Sequence, residues 1–397
     1  MQLQDKLHLT YCTNIHPGQD WKSTFESIQK HVPGIKKEVS SNQAFGLGLR
    51  LSNKASEELE HGSNMSDFKS WLADNNLYVF TMNGFPYGNF HDERVKDMVH
   101  APDWTANVRL VYTKRLFQQL SELLPEGLNG GISTSPITYK YWHKSKEEIE
   151  KAFEEGAKNM LQVAHQLFEL ENTTGKYMHL DIEPEPDGLL ENSDEVLHFY
   201  SKYLVPFGIE FFERKLGLNP LEAEALVKKY ITVCYDICHF SLAFEEPVET
   251  FAKFEEQNIR VGKIQVSAAL KIVFNGTNDE LIWDELSHFN EPTYLHQVTE
   301  KIGGVVKTYS DLPLVLNNKG SHKELRAHYH VPIFLEKYGN LFSTQDHILK
   351  TIEYIKSNSV SEHLEIETYT WDVLPTDLKQ DLSISIIREI EWLKSRL

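Results

Sequence analysis

The stretch YMHLDIEPEPDG, residues 177–188, decides how this chain is to be read. Its first half alternates with a period of two, which puts His179, Asp181 and Glu183 on one face of a β-strand. Pro184 ends the ladder directly after Glu183, because proline has no N–H to contribute. Three ionisable groups on one barrel-facing stripe are costly unless they are paired or hold a metal. Glu185 and Asp187, beyond the proline, read as parts of an exposed acidic turn.

Working outward in both directions, the same kind of segment recurs and alternates with amphipathic helical stretches. The strands read as Leu7–Cys12, Phe45–Leu51, Leu77–Met82, Gly131–Ser135, Tyr177–Ile182, Ile231–Tyr235, Val261–Val266 and Leu364–Tyr369. Helical patterns occupy 20–31, 56–75, 105–124, 145–170, 193–216 with 219–229, 247–257, 343–357 and 377–396. Ser145, Ser343 and Pro375-Thr376-Asp377 supply start signals. Eight strand–helix units ending in a helix describe an α/β fold of the (β/α)8 TIM-barrel type, read as one domain over 1–397. The chain exceeds the usual barrel through an insertion after strand seven, 272–342, with a helical piece at 279–302 and a β-rich run Ala327–Phe334 that carries a His-x-His segment.

Composition narrows the function classes. Of the 397 residues 41% are hydrophobic and 25% charged, as in globular proteins. The formal charge of -18, from 40 Lys+Arg against 58 Asp+Glu, repels polyanions, so nucleic acid is not an expected partner. No signal-peptide pattern and no run of eighteen apolar residues is present, so membrane insertion is not expected and a cytoplasmic location is. Three cysteines, Cys12, Cys234 and Cys238, do not make a disulfide framework.

In such a barrel the chemistry collects where strands end and loops begin. Strand five delivers Glu183. Strand six ends in YDICHF, 235–240, where Asp236 and His239 converge only if the chain turns outward between them. Asp236 alone reads equally as a helix cap. Strand seven offers the neutral oxygen of Gln265, and the eighth offers Glu365 and Glu367, the latter nearer the mouth. His328 and His330, two apart, can chelate one ion or flank one anionic group. Buried carboxylates on a closing strand need a cation or a proton, so Glu183, Asp236, Gln265 and Glu367, with His328 and His330, are the expected metal ligands.

These positions resemble those of the xylose isomerase-like barrels, which include sugar epimerases and endonuclease IV. Those proteins carry Glu on strand five, Asp-x-x-His on strand six, His on strand seven and Glu on strand eight. Here Gln265 stands in place of the strand-seven histidine, and His328-Tyr329-His330 is similar to an Asp-x-His pair of endonuclease IV. Where that enzyme has further histidines this chain has Asn83 and Ser133 or Ser135, so the resemblance does not extend to a trinuclear zinc site. Over nearly the whole length, the strings LTYCTNIHPG, FTMNGFPYGNFH, HLDIEPEPDG, HYHVPIF and ETYTWDVLP resemble the EboE family of metabolite traffic proteins. That resemblance implies a role in secondary-metabolite processing, with partners encoded in the same gene cluster.

The expected function is that of a metal-dependent isomerase or epimerase of a small polyhydroxylated or keto metabolite. Glu183 and Glu367 would exchange a carbon-bound proton in an enediolate-type transfer, and His239 would bond a substrate oxygen or the ion. Asn83, His179, Asp181 and Trp371 are expected to contact substrate, with Trp104, Trp142 and Tyr87 as further pocket candidates. Oxygen donors favour Mn²⁺ or Mg²⁺ as the divalent ion, and the histidines leave Zn²⁺ open. A metal-dependent hydrolase of a small phosphoester and a non-catalytic metabolite-binding barrel are the alternatives.

Overall fold

The computed structural model describes residues 1–3, 6–88, 95–371, 374 and 381–397. Eight parallel strands form its centre: β1 (His8–Tyr11), β2 (Phe45–Arg50), β3 (Leu77–Asn83), β4 (Gly130–Thr134), β5 (Met178–Ile182), β6 (Ile231–Asp236), β7 (Val261–Val266) and β8 (His363–Ile366). They are hydrogen-bonded in the order β1-β8-β7-β6-β5-β4-β3-β2, and a parallel bridge between Cys12 and Gly48 brings β1 back to β2. The sheet is therefore a closed (β/α)8 barrel.

Helices surround the strands, and several start where their sequence supplies donor-satisfying caps. Asp20 accepts from the Ser23 N–H to open Trp21–Val39, and Ser145 accepts from the Glu148 N–H to open Lys146–Thr174. Asp381 does the same for the final helix, Leu382–Lys394; the start signal Pro375-Thr376-Asp377 lies outside the described residues. The apolar core is the shell between strands and helices, where Leu47, Ile132, Leu180 and Val233 of the strands meet Ile28, Phe117, Leu161 and Val227 of the helices. Each such side chain contributes about 1.5–3 kcal/mol by leaving water.

The barrel axis is different, because it is lined by polar side chains. Lys263 on β7 pairs with Glu365 on β8, both fully buried, and Asp181 accepts hydrogen bonds from the His179 ring and the Thr232 hydroxyl. Glycines on neighbouring strands make the room: a Cβ at Gly48 would collide with Glu365, and one at Gly131 would collide with His179 and Asp181.

The excursion between β7 and β8 builds a second sheet of six strands, antiparallel throughout. Here the reading of 279–302 as one helical piece is corrected. The helix covers Asp279–Ser287 alone, and Val298–Ile302 is a strand that pairs with Val305–Tyr309. Gly303 and Gly304 turn between those two strands with φ of 58° and 87°, a conformation glycine adopts without a Cβ penalty. The β-rich run Ala327–Phe334 is corrected too: the strand is Glu324–Ala327, and His328–Phe334 leaves the sheet. The Val331 N–H donates to the Ala268 carbonyl at 2.9 Å, which ties that departing segment to the end of β7.

Candidate metal centre

At the C-terminal mouth of the barrel, one carboxylate oxygen from each of Glu183, Asp236 and Glu367 lies within 4.8 Å of the other two, and all three side chains are buried. Strand register explains the convergence, since Asp236 pairs with Gln265 across β6 and β7 while Glu183 and Glu367 stand just beyond the ends of β5 and β8. The Gln265 Nε2 is central to the set, at 3.0 Å from Glu183 Oε1, 2.9 Å from Asp236 Oδ2 and 2.7 Å from Glu367 Oε2. An amide nitrogen has two hydrogens, so three carboxylates share two donors. On its other side, the Cys234 thiol donates to the Gln265 Oε1 at 3.1 Å. Turning the amide over would present a neutral oxygen ligand to the carboxylates, and a thiol can face either end of it.

Asp236 performs both tasks that its position suggested. Its Oδ1 accepts from the His239 N–H at 3.1 Å, capping the short helix Ile237–Leu242, and from the Ser267 hydroxyl at 2.7 Å, while Oδ2 faces Gln265. Asn14 and Asn83 each donate an amide N–H to Glu367 Oε1 at 2.8 Å. Glu183 Oε2 is buried with no hydrogen-bond partner.

Charge is the decisive feature. Among the described residues the ion-pair partners of these three carboxylates are histidines, and none is a lysine or arginine. Burial, then the neighbouring Glu367 and Asp236 charges, push Glu183 well above the ordinary carboxyl range; burial and Asp236 do the same to Glu367. Burial alone would raise Asp236 as well, but the His239 and His330 rings, the Ser267 hydroxyl and the His239 N–H hold it below its ordinary value. A group of this kind takes up protons or a cation, and its donor set of carboxylates, joined by an amide oxygen once Gln265 is turned over, suits a hard divalent ion.

Imidazoles crowd the rim. His239 Nδ1 sits 3.0 Å from the Pro184 carbonyl and His239 Nε2 sits 3.1 Å from His328 Nε2. The His328 Nδ1 N–H donates to Gln297 Oε1 at 2.9 Å, and the His330 Nδ1 N–H donates to the Glu367 carbonyl at 2.8 Å. Burial keeps His328 and His330 neutral, with His330 lowered to about 4.

A cavity of about 60 Å³ opens onto Glu183, Glu367 and His239. Its wall holds Asn14, Asn83, His100, Glu185 and Gln297, and its cover is apolar, with Phe85, Val95, Val99, Tyr294, Leu295 and Tyr369. Of the residues singled out from sequence, the structure brings Glu183, Asp236, Gln265, Glu367, His239, His328, His330 and Asn83 to one place. His179 and Asp181 are not there: they are bonded to each other inside the barrel, and His179 borders a depression at the opposite mouth. Trp371 is packed beside Phe334, the Trp104 N–H donates to Thr134, and the Trp142 N–H donates to Asp97; these three and Tyr87 do not line the cavity. Glu185 and Asp187 are corrected from exposed to buried, Glu185 lying 2.9 Å from His100 Nε2 and Asp187 pairing with Lys140. Asn14 and His100 come from short 3-10 helices and Gln297 from the irregular stretch before Val298–Ile302, segments too short or irregular to carry a periodic signal.

No protein-family profile matches the chain, and no curated protein matches it in sequence. Solved structures similar to it are xylose isomerase-like barrels and their relatives. A D-tagatose 3-epimerase-like protein shares 11% identity over 98% of this chain and 97% of that one, with a TM-score of 0.48. A xylose isomerase-like TIM barrel protein from Mycobacterium smegmatis in complex with magnesium shares 10% over 98% and 95%, at 0.47. The IOLI protein with a zinc atom shares 11% over 98% and 96%, at 0.45. Likeness this distant carries no argument about chemistry, which rests on the residues above. No helix among the described residues is long and apolar enough to cross a membrane.

Proposed function

We propose that the chain is a metal-dependent isomerase or epimerase of a small polyhydroxylated or keto metabolite. The observation that carries this reading is the convergence of Glu183, Asp236 and Glu367, buried and with no lysine or arginine paired to them among the described residues, beside a cavity that Glu183 and Glu367 line. Glu183, Asp236, Glu367 and the Gln265 oxygen would hold a divalent ion of the Mn²⁺ or Mg²⁺ class. When bound, that ion supplies a grip on two neighbouring substrate oxygens and neutralises the negative charge that builds as a carbon-bound proton leaves.

The protein's own groups do the rest. Glu183 and Glu367 both border the cavity, so one can take the proton and the other can return it. Asn14 and Asn83 fix the Glu367 carboxylate by bonding its Oε1, which leaves Oε2 directed at the centre. His239 borders the same cavity within reach of a substrate oxygen. The apolar side chains of Tyr294, Leu295, Val95 and Tyr369 in the cavity lining reduce the water around a proton in transit.

Hydrolysis of a phosphoester is less well supported. Lys96 is the one lysine or arginine among the described residues lining the cavity, and it is committed to Asp311 at 2.8 Å. The EboE-like strings support a place in secondary-metabolite handling, with partners encoded nearby.

The test is hydrogen exchange from small α-hydroxy ketones and aldoses in D2O, followed by NMR with Mn²⁺- or Mg²⁺-loaded protein. Exchange at the carbon beside the carbonyl is expected, reduced by about 10²–10⁴-fold in Glu183→Gln and in Glu367→Gln. Phosphate release from phosphoesters without exchange would establish the hydrolase instead. Tight metabolite binding with no turnover would establish a carrier.

A further inference from the structure

We propose that Cys238, His328 and His330 form a second, soft-donor cation position beside the carboxylate one, suited to an ion of the zinc class. This goes beyond the isomerase reading but rests on its premise that the barrel mouth is a cation centre.

Cys238 stands between Asp236 and His239 and is fully buried. Its sulfur and one ring nitrogen from each of His328 and His330 all lie within 4.8 Å of one another. The hydrogen-bond arithmetic of the rings gives the second, independent observation. His330 spends its Nδ1 N–H on the Glu367 carbonyl, so its Nε2 is left as a lone pair, fully buried and without a hydrogen-bond partner. His328 spends its Nδ1 N–H on the Gln297 oxygen, and that amide cannot turn over cheaply because its Nε2 donates to the Pro186 carbonyl at 3.1 Å. The other His328 nitrogen lies 3.1 Å from His239 Nε2, and the second His239 nitrogen is directed at the Pro184 carbonyl. Carbonyl acceptors on the outer side of each ring turn lone pairs toward the interior, which is how ligating histidines are oriented.

A plain core thiol is the competing account. Cys238 does pack with Leu242 and Ala269 in a small apolar cluster. That explains its burial, but it does not explain the orphaned His330 nitrogen. A sulfur and imidazole set selects zinc-class ions, whereas the neighbouring carboxylates and amide oxygen select Mg²⁺ or Mn²⁺. Binding breaks the Cys238 S–H bond, releases that proton to solvent and forms a sulfur–metal bond, with no change of oxidation state.

The test uses full-length protein stripped with chelator and titrated with Co²⁺, a spectroscopic stand-in for Zn²⁺. A thiolate-to-cobalt charge-transfer band is expected in the wild type, retained in Cys234→Ala, and absent in Cys238→Ala. Zn²⁺ should displace the Co²⁺, and Cys238→Ala should weaken Zn²⁺ by at least the roughly 10–100-fold that losing a supporting partner costs. Should the alanine variant misfold, Cys238→Ser keeps the question open to refutation, since it should bind Co²⁺ without the band. A band that survives in either Cys238 variant overturns the proposal, as does Co²⁺ binding to the wild type with no band. If Mn²⁺ still binds by electron paramagnetic resonance in that case, the carboxylate centre stands and only the soft position falls. Failure of both ions to bind removes both readings.

Discussion

Two polar regions share the barrel axis, and they solve the same problem in opposite ways. In the interior, Lys263 faces Glu365 and Asp181 collects the His179 ring and the Thr232 hydroxyl, so the charges find partners within the chain. One layer up, Glu183, Asp236 and Glu367 meet around the amide of Gln265, and their ion-pair partners are imidazoles, with no lysine or arginine among the described residues. The lower layer holds a lysine of its own. The upper layer is incomplete in charge, and that imbalance, rather than the number of ionisable groups, sets it apart.

The contrast is broken most forcefully at Lys263. Lys263→Met leaves Glu365 buried without its cation and should cost about 3–5 kcal/mol in urea unfolding. Glu183→Gln in the metal-free protein should leave stability unchanged or raise it, because it removes one of several crowded negative charges. Equal losses in both variants would mean that the two layers do not differ.

Next in size is metal affinity. Asp236→Asn should weaken Mn²⁺ by roughly 10–100-fold in calorimetric titration, while Lys263→Met, assayed at a temperature where it remains folded, should alter it much less.

The dependence on pH sharpens the same contrast. Glu183 and Glu367 are raised above the ordinary 4.5, so the folded metal-free chain holds more protons than the unfolded one at pH values above that. Their contribution to stability is full below 4.5 and is lost as pH rises through the folded values. His330, lowered from 6.5 to about 4, acts with the opposite sign, losing stability as pH falls from 6.5 toward 4. Of these three groups, only the two carboxylates contribute above pH 6.5. Metal-free protein should therefore lose thermal stability with rising pH there, by up to about 1.4 kcal/mol per pH unit for each proton released, and saturating Mn²⁺ should flatten the curve. A flat curve without metal would show the carboxylates to be ionised already.

The smallest effect is expected at Gln297. Gln297→Leu frees His328 to adopt the other tautomer and should weaken Zn²⁺ by about tenfold with little change in Mn²⁺.

Most of the barrel was legible in the sequence because strand period and helix caps are local signals. Phe45–Arg50, Leu77–Asn83 and Val261–Val266 fall within a residue of their expected bounds. The carboxylates were legible for the same reason: once a strand's inward stripe is known, its last inward residue is at the mouth. The insertion was not. Its Gly303-Gly304 turn was a hairpin signal that the helical reading of 279–302 passed over, and His328–Phe334 has no period because it is neither strand nor helix. Glu185 and Asp187 looked like solvent-facing acids, since nothing local reveals that Lys140 and His100, distant in sequence, cover them. His179 and Asp181 were placed on the correct face but at the wrong height, because alternation gives a side chain's direction and not the depth at which a partner waits.

The second sheet has a consequence for the order of assembly. Its strands pair only with one another, yet the loop that leaves it carries two of the three histidines at the rim. The barrel can close before that excursion docks, whereas the rim is finished only afterwards. Early folding species should accordingly expose a half-built basin of acid groups, and the final docking step should quicken when a divalent ion is supplied during refolding.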